Sequence, residues 1–196
     1  IQEKVVFIIP GFRQSPNSCA YNKIAKILEI EGYSPILVTI PWKNKTISEN
    51  TTYFLKEYKK VKAKKKYILG FSYGAMIAFI ASAKVSSNGL ILCSLSPYFK
   101  EDVSSIKKRA VSALMRKRYL DFSRLHCLKL AKQIKAEQIL MLYGREETRS
   151  LIKRVTDTFS EIRSTNKLLI PIKKAEHNIG NKRYLLTIHE AAKSLS

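Results

Sequence analysis

The apolar positions of this chain alternate between two rhythms. Short, mostly apolar runs recur at Val5–Ile9, which is continuous, and at Ile36–Ile40, Tyr67–Phe71, Gly89–Leu95, Ile139–Tyr143 and Lys167–Ile170. Runs of about four to eight residues bounded by turn signals predict strands buried on both faces. Pro10-Gly11 stops the first run, Pro41 the second and Pro171 the last. Between the runs the spacing changes to that of amphipathic helices. Tyr21, Ile24, Ala25 and Leu28 share one helical face, and Gly32 can close that helix. Thr46 and Glu49 have capping-box spacing ahead of Ile47, Phe54, Leu55 and Tyr58. Further helices are predicted over Gly74–Lys84, around Leu151, Ile152, Val155 and Phe159, and along Tyr184, Leu185, Ile188, Ala192 and Leu195.

Strands alternating with helices predict an α/β fold whose central sheet is mostly parallel, with helices on both faces. Residues 97–136 interrupt the rhythm and read as a short helical cap inserted between the fourth and fifth strands. No internal repeat and no Pro/Gly/Ser-rich linker divides the chain, so residues 1–196 read as one domain.

A hydrophobic fraction of 45% fits a globular chain rather than a disordered one. No apolar run reaches the roughly 18 residues that a membrane-spanning helix requires. Cys19, Cys93 and Cys127 are an odd, widely spaced set, which argues against a disulfide framework and a zinc site and points to a reducing, cytoplasmic compartment. The chain starts at Ile1, and a removed signal peptide stays open.

Ligands of parallel sheets bind beyond the carboxyl ends of the strands, so candidate chemistry is sought there. Gly70-Phe71-Ser72-Tyr73-Gly74 is a G-x-S-x-G pattern with an apolar strand before it and an apolar helix after it. That setting makes a sharp turn in which a serine hydroxyl projects as a nucleophile. The two glycines leave room where side chains would meet neighbouring backbone. A serine needs a base. Of the three His, His177 lies in the loop after the last strand, whereas His126 falls in the irregular segment and His189 on the closing helix. The fifth strand runs into Gly144-Arg145-Glu146-Glu147, so one of the two carboxylates is the candidate to orient the imidazole, with Asp121 a more remote choice. An oxyanion needs backbone donors. Tyr73 N–H, directly after the serine, and Phe12 N–H, after Gly11 in the first loop, are the candidates.

With these segments in view, VVFIIPGF, YILGFSYGAMIAFIAS, GLILCSLSP, ILMLYGREE and AEHNIG, the chain resembles the α/β-hydrolase superfamily over nearly its whole length. The likeness is closest to small bacterial carboxylesterase-like serine hydrolases. Two positions depart from the family pattern: Pro10 stands where His commonly precedes the glycine, and a Glu stands where Asp is usual. Family spacing from Gly144 selects Glu147 over Glu146. The resemblance implies hydrolysis of a carboxylic ester or thioester through an acyl-enzyme, with Ser72, Glu147 and His177 as the triad and no metal or organic cofactor.

Charge adds one open question. Thirty-six Lys+Arg against fifteen Asp+Glu leave a net charge of +21. Lys107-Lys108-Arg109 and Arg116-Lys117-Arg118, around Ala110, Val111, Leu114 and Met115, suggest a basic amphipathic helix near the site entrance. Such a helix suits an anionic lipid surface or an acidic carrier protein bearing an acyl group, and equally a solvated face. Lys59, Lys60, Lys62 and Lys64–Lys66 are expected in a loop away from the site. The competing function is a catalytically silent protein of the same fold that binds nucleic acid or membrane through its basic surface, although no nucleic-acid motif is present.

Overall fold

The apolar runs become strands β1 (Gln2–Ile9), β2 (Ser34–Leu37), β3 (Ala63–Phe71), β4 (Ser87–Cys93), β5 (Ala136–Gly144) and β6 (Lys167–Ile172) in a computed structural model that describes residues 2–105 and 112–195. They form a six-stranded sheet in the order β2-β1-β3-β4-β5-β6, with every neighbouring pair parallel. Alternate side chains feed two cores. Val5, Phe7 and Ile9 enter one, and Val6 and Ile8 the other. A strand covered on both faces therefore needs apolar residues at consecutive positions, which is why Val5–Ile9 is unbroken. This is the α/β-hydrolase fold.

Helices α1 (Cys19–Ile30) and α7 (Lys182–Ser194) cover one face. Helices α2 (Ile47–Lys60), α3 (Tyr73–Ser82) and α6 (Arg149–Glu161) cover the other. The start of α2 is capped reciprocally: Glu49 N–H donates to Thr46 Oγ1 at 3.2 Å, and Thr46 N–H to Glu49 Oε2 at 2.8 Å. Helix α1 ends at Gly32, whose φ of +80° is costly for a side-chain-bearing residue. The Tyr33 N–H then returns to Leu28 O at 3.0 Å. Helix α3 is buried from Gly74 to Ser82, packed between the sheet strands β3 and β4 and helix α2.

Several boundaries differ from the sequence expectation. The second strand starts earlier and ends at Leu37; Val38 and Ile40 are buried but lie beyond it. Pro35 and Pro171 both lie inside strands, and both of those strands are sheet edges, where a missing N–H faces no partner. The lysines expected in a loop instead end α2 (Lys59, Lys60) and begin β3 (Lys64, Lys65, Lys66). Between β4 and β5 lie a 3-10 helix at Lys100–Ser105, α4 (Ala113–Phe122) and the short α5 (Cys127–Ala131). Of the expected basic cap helix, Lys107, Lys108, Arg109, Ala110 and Val111 lie outside the described residues, and Leu114 through Arg118 fall in α4.

The registers bring the carboxyl ends level. Ile9 pairs with Gly70, Phe71 with Cys93, and Cys93 with Leu142. The loops after β1, β3, β4, β5 and β6 therefore open on one edge.

Candidate active site

Ser72 sits where β3 turns into α3, with φ 57° and ψ −117°. This strained conformation is imposed by close packing. A Cβ on Gly70 would lie 2.4 Å from Gly74 O, and one on Gly74 would lie 2.2 Å from Ile9 O. Strand and helix thus meet backbone to backbone, and the serine at the turn is held out of the usual wells. Its backbone N–H is tied to Cys93 O at 2.9 Å.

His177 Nε2 lies 2.9 Å from Ser72 Oγ. The imidazole is partly exposed and stacks on Phe71, with centroids 4.8 Å apart and planes at 31°. On its far side Nδ1 is 3.6 Å from Glu147 Oε2, beyond hydrogen-bond range but close enough for direct attraction once the ring is protonated. The Glu147 side chain is fully buried. Its Oε1 accepts from Ser94 Oγ and, at 3.2 Å, from Gly144 N–H. Its Oε2 has no hydrogen-bond partner, leaving that lone pair for the imidazole side. Gly144 is needed beside it, because a Cβ there would lie 2.1 Å from Ala175 O in the histidine loop.

Behind the carboxylate runs a relay of hydroxyls. The Tyr184 and Ser94 oxygens are 2.6 Å apart, and Ser94 bonds to Glu147. Ser94 Oγ donates to the carboxylate, and the Tyr184 hydroxyl behind it also lies within donating distance, 3.3 Å, of Leu142 O. Burial, reinforced by the negative charge that Cys93 and Glu147 can carry, pushes the Tyr184 phenol well above its ordinary pKa and keeps it a donor. Ser94 takes part from a left-handed backbone, φ 52°.

The loop after β1 is fixed in the same manner. Gly11 N–H is shared between Tyr21 Oη at 2.9 Å and Gln14 Oε1 at 3.0 Å, and Tyr21 Oη in turn bonds Gln14 Oε1. Phe12 N–H has no acceptor among the described residues. Tyr73 N–H, first in α3, has no carbonyl of its own helix to bond. Phe12, Ser72 and Tyr73 border one open cleft of about 550 Å³, with Ser96, Tyr98 and Leu151 on its other walls.

The aromatic wall continues into the segment between β4 and β5. Tyr73 packs on Phe12 and on Tyr98, with centroids 5.1 Å apart in each case, and Tyr98 packs on Phe122 of α4 at 5.4 Å. Helix α4 is strapped down by its own basic residues. Arg118 donates to Lys45 O and Trp42 O at 3.1 and 3.2 Å and covers the Phe12 ring, while Lys117 bonds Glu49 at 2.8 Å. Two of the three cations in Arg116-Lys117-Arg118 are therefore engaged inward.

The other candidates lie elsewhere. Glu146 is exposed, and its backbone N–H holds Ala175 O at 3.0 Å. Asp121 accepts from Ser48 N–H at 3.0 Å in the first turn of α2. His126 begins α5 beside Lys100, and His189 bonds Glu31 at 2.7 Å. Among the described residues no group of three His, Cys, Asp or Glu could hold a metal ion, and no helix is long and apolar enough to cross a membrane. Sequence reasoning missed Ser94, Ser96 and Tyr184. The two serines follow β4 in Ser94-Leu95-Ser96-Pro97, a position at the loaded edge that could have flagged them; Tyr184 is hidden among the apolar residues of α7.

No protein-family model matches the chain, and no curated protein matches it by sequence. Solved structures do match. Est1E from Butyrivibrio proteoclasticus superposes with a TM-score of 0.82 at 14% identity, covering 98% of this chain and 86% of that one. The same protein with ferulic acid bound gives 0.81. A monoacylglycerol lipase from Paleococcus ferrophilus gives 0.71 at 15% identity, over 100% and 97%. A Pyrococcus furiosus esterase gives 0.69 at 20% identity, over 98% and 80%.

Proposed function

We propose that this protein is a serine hydrolase that cleaves carboxylic esters, or thioesters, through an acyl-enzyme on Ser72. The observation that carries the reading is the 2.9 Å contact between His177 Nε2 and the hydroxyl of a serine held at φ 57° on a strand–helix turn. In this reading His177 takes the Ser72 proton as Oγ bonds to the substrate carbonyl carbon. The carbonyl oxygen becomes an oxyanion, held by the Tyr73 and Phe12 N–H groups. Collapse expels the alcohol or thiol, which receives the proton from His177. Water then adds to the acyl carbon with His177 again as base, and the acid leaves as Ser72 regains its proton. Glu147 stabilises the imidazolium at each stage.

The open cleft and its aromatic wall of Phe12, Tyr73 and Tyr98 favour a planar or slender apolar group beside the reacting carbonyl. Similarity to Est1E, which has been solved with ferulic acid bound, agrees with that choice. The test is hydrolysis of p-nitrophenyl and aryl-acyl esters by wild type and Ser72→Ala, with an alkyl fluorophosphonate as a substrate-independent probe. Turnover and labelling that both vanish in Ser72→Ala, with activity down at least about 10⁴-fold, are expected. A folded wild type that neither hydrolyses esters nor labels at Ser72 would remove the reading and favour a silent binding protein.

A further inference from the structure

A second serine touches the reacting oxygen. Ser96 Oγ lies 3.1 Å from Ser72 Oγ, and Ser96 is only 3% exposed. Among the described residues its hydroxyl has no other partner. The segment carrying it is anchored on both sides: Leu95 is fully buried, and Tyr98 N–H donates back to Ser96 O at 3.1 Å. The hydroxyl is thus presented to the nucleophile by fixed backbone at the floor of the cleft.

Counting protons decides what it does. Ser72 has one proton, and attack requires that proton to lie on the line to His177 Nε2. Ser72 Oγ is then an acceptor towards any other neighbour, so the Ser96 proton points at it. If Ser96 were instead the acceptor, it would draw the Ser72 proton away from the base.

We infer that Ser96 is a positioning residue for the nucleophile, donating to Ser72 Oγ so that the Ser72 proton is directed to His177. The same donation steadies Ser72 Oγ as it gives up its proton in acylation, and again as it leaves the acyl carbon in deacylation. No atom of Ser96 changes bonding partners covalently in either step. The inference rests on the hydrolase reading above.

The rate of Ser72 labelling by an alkyl fluorophosphonate tests it, because that rate reports nucleophilicity without knowledge of the natural substrate. Ser96→Ala is expected to label roughly ten- to a hundredfold more slowly than wild type, the range for losing a hydrogen bond to a charged group. Its melting temperature should be unchanged, and its pH profile of labelling should keep the wild-type shape at a lower plateau. Ser96→Thr, which retains the hydroxyl, should recover most of the rate. Equal or faster labelling by Ser96→Ala would overturn the inference while leaving the hydrolase reading intact, as would a profile displaced along the pH axis or a Ser96→Thr as slow as Ser96→Ala. A wild type that does not label at all would overturn both.

Discussion

Removing the Asp102 carboxylate should unfold far more of this protein's stability than an ordinary surface change. Arg154, on α6, is 4% exposed and meets Asp102 of the 3-10 helix in a fork: Nε lies 3.1 and 2.9 Å from the two carboxylate oxygens, and Nη2 lies 2.6 Å from Oδ1. Phe99 N–H adds a further donor to Asp102 at 3.1 Å. Burial opposes the guanidinium charge, but the Asp102 hydrogen bonds and neighbouring negative groups outweigh it, so the Arg154 pKa moves upward and the cation persists. Arg154 Nη1 already lacks a partner. Asp102→Ala therefore leaves a buried cation without its direct ion-pair partner, at a cost of about 3–5 kcal/mol. Against a total stability of roughly 5–15 kcal/mol, that is a large share, and for a domain of this size it lowers Tm by roughly 6–20 °C. Urea unfolding followed by circular dichroism measures it. The decisive comparison is the double variant Asp102→Ala/Arg154→Met, which removes the charge while filling much of its volume. It should regain most of the loss, because the penalty belongs to the stranded charge rather than to the absent bond. An Asp102→Ala variant within about 1 kcal/mol of wild type, or a double variant no better than the single, would refute the reasoning.

The same packing sets other outcomes. Gly74→Ala places a Cβ 2.2 Å from Ile9 O and 2.5 Å from Pro10 O, backbone atoms at and just after the end of β1; it should cost about 1–3 kcal/mol or more in urea unfolding and slow fluorophosphonate labelling, since the loop bearing Phe12 must move. Cys93 and Cys127 are buried and their thiols pushed up by burial, Cys127 to about 12, while Cys19 is exposed; a disulfide reagent should therefore titrate Cys19 alone in the native protein and all three after denaturation, and rapid native reaction at Cys127 would contradict the packing. Burial raises the phenols of Tyr33 and Tyr58 from 10.0 to about 12. A raised folded-state value means that their contribution is complete below the unfolded value near 10 and is lost as pH climbs through 12. The urea midpoint should accordingly hold between pH 8 and 9.5 and fall from pH 10 to 12, less steeply in Tyr58→Phe; a flat alkaline limb would rule this out.

Much of the architecture was legible because its cause is local. A parallel sheet covered on both faces demands consecutive apolar residues, so Val5–Ile9, Tyr67–Phe71 and Ile139–Tyr143 announce themselves. The Thr46–Glu49 cap is equally local, being written within four residues of chain. Edge strands were harder to delimit. With one side unpaired, Pro35 and Pro171 are tolerated inside them, so proline no longer marks a boundary. The lysines that open β3 misled for a related reason: the strand begins near the uncovered edge of the sheet, where Lys64 and Lys65 stay exposed.

For the candidate site, sequence alone determined which residue types stand at which loop. The G-x-S-x-G turn, a histidine after the last strand and two carboxylates after the fifth were all visible, because strand order and the carboxyl-edge rule place them without coordinates. Between the two carboxylates, family spacing pointed to Glu147, and the tertiary structure buries Glu147 beside His177 and leaves Glu146 exposed. It alone revealed the Tyr184–Ser94 relay and the contact of Ser96 with Ser72, which join residues 90 and 24 positions apart. The physical reason is range: apolar periodicity records what each element buries against its own sheet, whereas a hydrogen bond between two loops depends on strand register and on helix seating to within a few tenths of an ångström.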